Sequence, residues 1–149
     1  MTPLNKIICP IDFSPGSDHA LGRAAELARA FGAELELLHV FQLPVLALPD
    51  VPITLSPTYV ADLTQRIQKQ LDLHARQLRD QGLRVKTSVL EGPAAETITD
   101  HAKKFTASML VLGTHGRSGF KRFLLGSVAE RVVRLSSVPV MTVHLPEGA

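Results

Sequence analysis

Met109-Leu110-Val111-Leu112-Gly113-Thr114-His115-Gly116-Arg117-Ser118-Gly119 passes from a purely apolar run into a glycine-rich turn, and Gly126-Ser127 then opens a new segment. An apolar run without polar alternation is the pattern of a strand buried on both faces. After Ser127, apolar residues recur at helical spacing (Val128, Val132, Leu135), and Val138-Pro139-Val140-Met141-Thr142-Val143 closes the chain with another strand signal. Parallel neighbours need a crossover between them, so strand, glycine turn, helix and strand together predict a parallel α/β unit.

The same alternation holds upstream. Lys6 to Asp12 reads as a buried strand, with Pro10 suited only to its end because proline cannot donate to a ladder. Ser14-Pro15-Gly16 punctuates, and the spacing of Ala20, Leu21, Ala24, Leu27, Ala28 and Phe31 predicts a helix over 17–31, stopped by Gly32. Leu35 to Phe41 is a second strand, and Leu83 to Leu90 a third, with the polar alternation of a sheet edge. Between them Ser56-Pro57 caps a long helix with Leu63, Ile67, Leu71, His74 and Leu78 on one face, ended by Gly82. Gly92-Pro93 opens a helix carrying Ala95, Ile98, Ala102 and Phe105. Five strands separated by four helices predict a single-domain open parallel sheet, covered by helices on both faces.

Composition narrows the function classes. The 149 residues are 45% hydrophobic and 20% charged, which excludes global disorder. Sixteen Lys and Arg against fourteen Asp and Glu leave a net charge of +2, too little for nucleic acid as the main partner. The lone Cys9 cannot form an internal disulfide and sits in an apolar run, which suits a reducing compartment. With neither a secretory n-region and h-region nor an apolar stretch of about 20 residues, a cytoplasmic protein without a membrane span is expected. One stretch is unusual: from Gln42 to Pro57, Pro44, Pro49, Pro52 and Pro57 interleave with Val45, Leu46, Leu48, Val51, Ile53 and Leu55. It reads as a loop pinned by its own apolar side chains, or as a lid or partner-binding segment.

The chemistry concentrates after the fourth strand. A glycine-rich turn exposes backbone N–H groups and a following helix adds its orphan donors and positive end, so together they predict an anion site. Arg117, Lys121 and Arg122 would deepen it for a polyphosphate, and Ser127 would be helix cap or hydroxyl donor. The plainer alternative is that the glycines merely permit tight turns. No Walker A sequence is present, since Phe120 follows Gly119 and five residues separate Gly113 from Gly119. The dinucleotide fingerprint and the serine-hydrolase elbow are also absent. The six histidines show no paired ligand spacing, so no metal site is expected from them, and His115 alone falls in the candidate site, where it reads as a turn residue. Asp12, ending the first strand, would bond a ribose hydroxyl or exocyclic amine, or else close an Asx turn onto Ser14 or Gly16.

At these residues the chain resembles the universal stress protein family. Gly113-x2-Gly116-x9-Gly126-Ser127 is the family's nucleotide-binding signature, and Ile11-Asp12-Phe13-Ser14, Leu38-His39-Val40, Glu91-Gly92-Pro93 and Val138 to Val143 look like the family as well. The resemblance implies a Rossmann-like sheet of strand order 3-2-1-4-5, related to the adenine nucleotide alpha hydrolases, with its ligand where the order reverses. It places Asp12 and the backbone of Val40 on the adenine or ribose side, and Leu112 and Gly113 along the nucleoside. Gly116, Arg117, Gly126, Ser127 and Val128 then surround the phosphates. The complete signature is that of the family's ATP binders, with a magnesium requirement left open. Ser108 departs from the family, which often has an acidic residue there.

The leading expectation is a cytoplasmic ATP-binding stress or signalling protein, homodimeric through the last strand (Val138, Val140, Met141, Val143). Two alternatives stand beside it: a slow ATPase or self-phosphorylating enzyme using Ser118, Ser127 or Thr114, and a chaperone-like module using residues 42–57. The enzyme ranks lower because no general base is evident.

Overall fold

The computed structural model describes residues 3–43, 47–48, 51–52, 55–115 and 125–146. Five strands, β1 (Lys6–Pro10), β2 (Glu34–Phe41), β3 (Val85–Glu91), β4 (Met109–Gly113) and β5 (Val140–Val143), pair in parallel in the order β3-β2-β1-β4-β5. The helices are α1 (Pro15–Phe31), α2 (Pro57–Asp80), α3 (Ala94–Lys104) and α4 (Ser127–Leu135). This is the expected fold, a Rossmann-like parallel sheet.

Side chains alternate across each strand, so the sheet feeds two cores. Ile7, Cys9, Leu35, Leu37 and Val111 pack with Ala20, Ala24 and Ala28 of α1 and with Leu71 and Ala75 of α2. Ile8, Leu38, Leu110 and Leu112 pack on the opposite face with Ala95, Ile98 and Ala102 of α3 and with Ala129 and Val132 of α4. Ile7, Ile8, Leu35, Leu37 and Leu110 are wholly inaccessible. Each such side chain contributes about 1.5–3 kcal/mol. Cys9 lies in this core, where burial, and then the Asp18 carboxylate, push its thiol up and keep it protonated.

Element ends follow local chemistry, and several differ from expectation, among them β3, which runs over Val85–Glu91 instead of Leu83 to Leu90. The β1 strand stops at Pro10 instead of reaching Asp12. The α1 helix starts at Pro15 instead of Ser17, because the Ser14 side chain accepts the Ser17 N–H at 3.2 Å and Pro15 takes the first helical position. Pro139 lies outside β5, although its carbonyl still accepts the Leu110 N–H at 2.9 Å. Ser56 and Pro57 begin α2 as expected. Of the apolar segment 42–57, Ala47–Leu48 pairs antiparallel with Val51–Pro52; residues 44–46, 49–50 and 53–54, on which a lid would depend, lie outside the described residues. Among the described residues no helix is long and apolar enough to cross a membrane.

Candidate functional site

The order of strands reverses between β1 and β4. The helix after β1 packs on one face and the helix after β4 on the other, so the backbone parts at the strands' carboxyl ends. The crevice there has a volume of about 310 Å³, within the range of small-molecule sites. Part of its lining is apolar, with Leu38 and Val40 of β2, Ile98 of α3 and Leu112 of β4, and part is backbone and polar side chains from Gly113, Thr114, His115, Gly126 and Ser127. Asp12 lies on its β1 side. Such a cleft offers both apolar and polar contacts to a small molecule.

Nine of the residues singled out in the sequence line this one crevice: Asp12, Val40, Leu112, Gly113, Thr114, His115, Gly126, Ser127 and Val128. Gly116 and Arg117 lie outside the described residues, as do Ser118, Gly119, Lys121 and Arg122. The sequence reading missed Leu38, Ala94 and Ile98, which also line the crevice. Ile98 carried a core signal only, and its second exposure depends on where α3 crosses the sheet.

Asp12 is held by its neighbours. Its Oδ1 accepts the Ser14 backbone N–H at 3.0 Å and the Ser14 hydroxyl at 2.5 Å, the Asx turn that was one of its two readings. Before it, the Ile11 N–H donates to the Leu38 carbonyl at 2.8 Å, and the Ile11 carbonyl accepts from His39 Nδ1 at 2.6 Å. After it, Phe13 adopts φ +62°, unusual for a bulky residue, and its ring stacks on His39 with centroids 4.9 Å apart. His39 therefore grips the residues on both sides of Asp12. The strain at Phe13, of order 1–3 kcal/mol, is carried by that packing.

The glycines have a packing role of their own. A Cβ on Gly113 would lie 2.8 Å from the Gly16 carbonyl oxygen, and one on Gly126 would lie 2.9 Å from that of Thr114. They let the end of β4 and the starts of α1 and α4 converge. The Gly126 N–H donates to the Thr114 carbonyl at 2.6 Å and is not available to an anion. Gly126, and not Ser127, occupies the N-cap position of α4, with no side-chain cap, so Ser127 is corrected from cap to first helical residue. The N–H groups of Ser127, Val128 and Ala129 precede the first intrahelical bond, in which Glu130 N–H donates to the Gly126 carbonyl at 2.9 Å. They form the positive end of the helix dipole. Among the described residues no cluster of His, Cys, Asp and Glu is placed to hold a metal ion.

Known proteins share this sequence pattern and fold. The sequence model of the universal stress protein family covers residues 3–144. The universal stress protein MJ0531 of Methanocaldococcus jannaschii is 34% identical over 144 residues, spanning 95% of this chain and 83% of that protein. The solved structure of MJ0577, from the same organism, superposes with a TM-score of 0.84 at 26% identity, covering 99% of this chain and all of that one. A universal stress protein from Archaeoglobus fulgidus, solved in complex with dAMP, shares the fold at 23% identity with a TM-score of 0.66, over 95% of this chain and 98% of its own. With its 3-2-1-4-5 sheet and its glycine signature at the strand reversal, the chain belongs to the universal stress protein family.

Proposed function

We propose that the chain binds ATP in this cleft and acts in the cytoplasm as a nucleotide-responsive stress or signalling protein. The observation that carries the reading is that apolar Val40, Ile98 and Leu112 line the same cleft as the uncapped start of α4. Asp12 and the Val40 backbone take the adenine or ribose side, and Leu112 and Gly113 line the nucleoside. Ser127 and Val128 donate backbone N–H groups to the phosphates and Gly126 lets them approach, and the family signature adds Gly116 and Arg117 to the phosphate contacts. The dAMP complex of the Archaeoglobus protein supports an adenine nucleotide as ligand. The working unit is a homodimer joined through β5, an edge strand whose Met141 is exposed in the single chain.

Titration calorimetry with ATP and adenosine tests the site through Ser127→Pro. Proline is accepted at the first position of a helix, and Gly126 before it already has the extended backbone (φ −59°, ψ 153°) that proline demands. The variant deletes one phosphate donor and spares the fold. ATP affinity is expected to fall about tenfold, near 1.4 kcal/mol, with adenosine affinity unchanged. Equal ATP affinity in both proteins would remove α4 from the site.

A further inference from the structure

Buried polar atoms in folded proteins nearly always have a partner. Nε2 of His115 is buried and has none among the described residues, and His115 lines the same cleft as Ser127 and Val128 at the start of α4. The other nitrogen of the same ring is engaged: Nδ1 lies 3.0 Å from Thr114 Oγ1, which lies 2.8 Å from Nδ1 of His144. The two imidazoles share one hydroxyl, and their ring centroids are 5.8 Å apart.

That hydroxyl has a single proton, so between neutral rings it donates to one Nδ1 and accepts from the other. In the first arrangement, His144 Nδ1–H donates to Thr114 Oγ1, whose O–H donates to His115 Nδ1, leaving His115 Nε2 as an N–H. In the reverse, His115 Nε2 is a lone pair. The surroundings choose between them. The adjacent α4 start presents N–H groups, and a group that binds there brings oxygens that only accept. A lone pair on Nε2 would oppose such an oxygen, whereas an N–H would join the donors.

We infer that His115 is a phosphate-contacting residue of the site, donating its Nε2–H to a phosphate oxygen, and that Thr114 and His144 are positioning residues fixing the tautomer that makes this possible. The inference rests on the nucleotide reading above and adds to it a side-chain donor. It also gives His144, beyond the end of β5, a reason to reach back to Thr114.

Calorimetry and nitrogen-15 NMR of histidine-labelled protein test it together. His115→Phe keeps the ring's bulk and removes both nitrogens, and is expected to weaken ATP at least tenfold with adenosine affinity within twofold of wild type. Retained adenosine binding shows that the cleft remains folded. In wild type with ATP, the His115 resonances are expected to report the Nε2–H tautomer. His144→Phe, a change at an exposed residue, is expected to abolish that preference and weaken ATP about threefold. If ATP binds wild type and Ser127→Pro weakens it, yet His115→Phe leaves it unchanged, then Nε2 faces only a buried water and the inference fails while the site stands. A His115 ring protonated at Nδ1 alone in the ATP complex overturns it as well. Absence of ATP binding by wild type overturns both readings.

Discussion

Glu36 of β2 and His101 of α3 meet inside the protein, with Oε1 2.7 Å from Nε2 and both residues at most 9% exposed. Ser88 of β3 donates its hydroxyl to the same carboxylate oxygen at 2.7 Å. Three elements are thereby tied at one point beneath the α3 face. Removing one partner of such a pair strands a buried polar group, which costs about 3–5 kcal/mol, whereas replacing both with apolar residues is often neutral. His101→Leu is therefore expected to lose about 3 kcal/mol in urea unfolding. The double variant Glu36→Leu/His101→Leu is expected to recover most of it. Additive losses in the double variant would show that the two residues do not act as a pair.

Two glycine variants separate packing from propensity. Gly113→Ala would drive a Cβ to 2.8 Å from the Gly16 carbonyl oxygen, backbone against backbone, and is expected to lose about 1–3 kcal/mol without any nucleotide. Gly22, exposed within α1, has nothing within 4 Å of an added Cβ. Gly22→Ala is expected to gain about 0.5–1 kcal/mol, the entropy that glycine forfeits in a helix. Thermal unfolding of both, free of ligand, checks the opposite signs.

Acid sensitivity has one identified source at the amino ends of the strands. Burial pushes the Glu34 carboxyl up, but Lys86 at 3.0 Å and Lys6 at 3.6 Å more than offset it, holding the group below the usual carboxylate range. A depressed folded value stabilises the protein above the ordinary glutamate value, near pH 4.3, and that contribution is lost as pH falls through the folded value. Lys86 is largely exposed, so the contribution at neutral pH is below about 1 kcal/mol. Glu34→Gln is expected to be less stable than wild type at pH 7 and to approach it as pH falls from about 5 toward 3. Urea unfolding across that range measures the gap.

The proposed dimer predicts that a charge in the middle of β5 separates the subunits. Met141 is 37% exposed in the single chain and would be covered when two edges pair. Sedimentation of wild type at micromolar concentration is expected to give a dimer and Met141→Lys a monomer. A dimeric variant would move the interface away from β5.

The sequence by itself determined the elements. Apolar runs, or for β3 polar alternation, marked every strand of the sheet, helical spacing marked every helix, and Gly32 and Ser56 marked two of their ends, because periodicity and capping are local properties of a few consecutive residues. The glycine pattern Gly113, Gly116, Gly126 and Ser127 likewise pointed to the loop after β4. Only the tertiary structure decided which distant residues share a space. Asp12 and Gly113 face one crevice because β1 and β4 are neighbours, and Ile98 joins them because α3 crosses that end of the sheet. Gly16, Gly113 and Gly126 proved to make room for protein backbone, and the Gly126 N–H proved already taken, since a clash or a hydrogen bond exists only between parts the fold has brought together. The chain from His144 through Thr114 to His115 joins residues 30 positions apart. No local pattern announces it, because its geometry arises from the parallel pairing of β4 with β5.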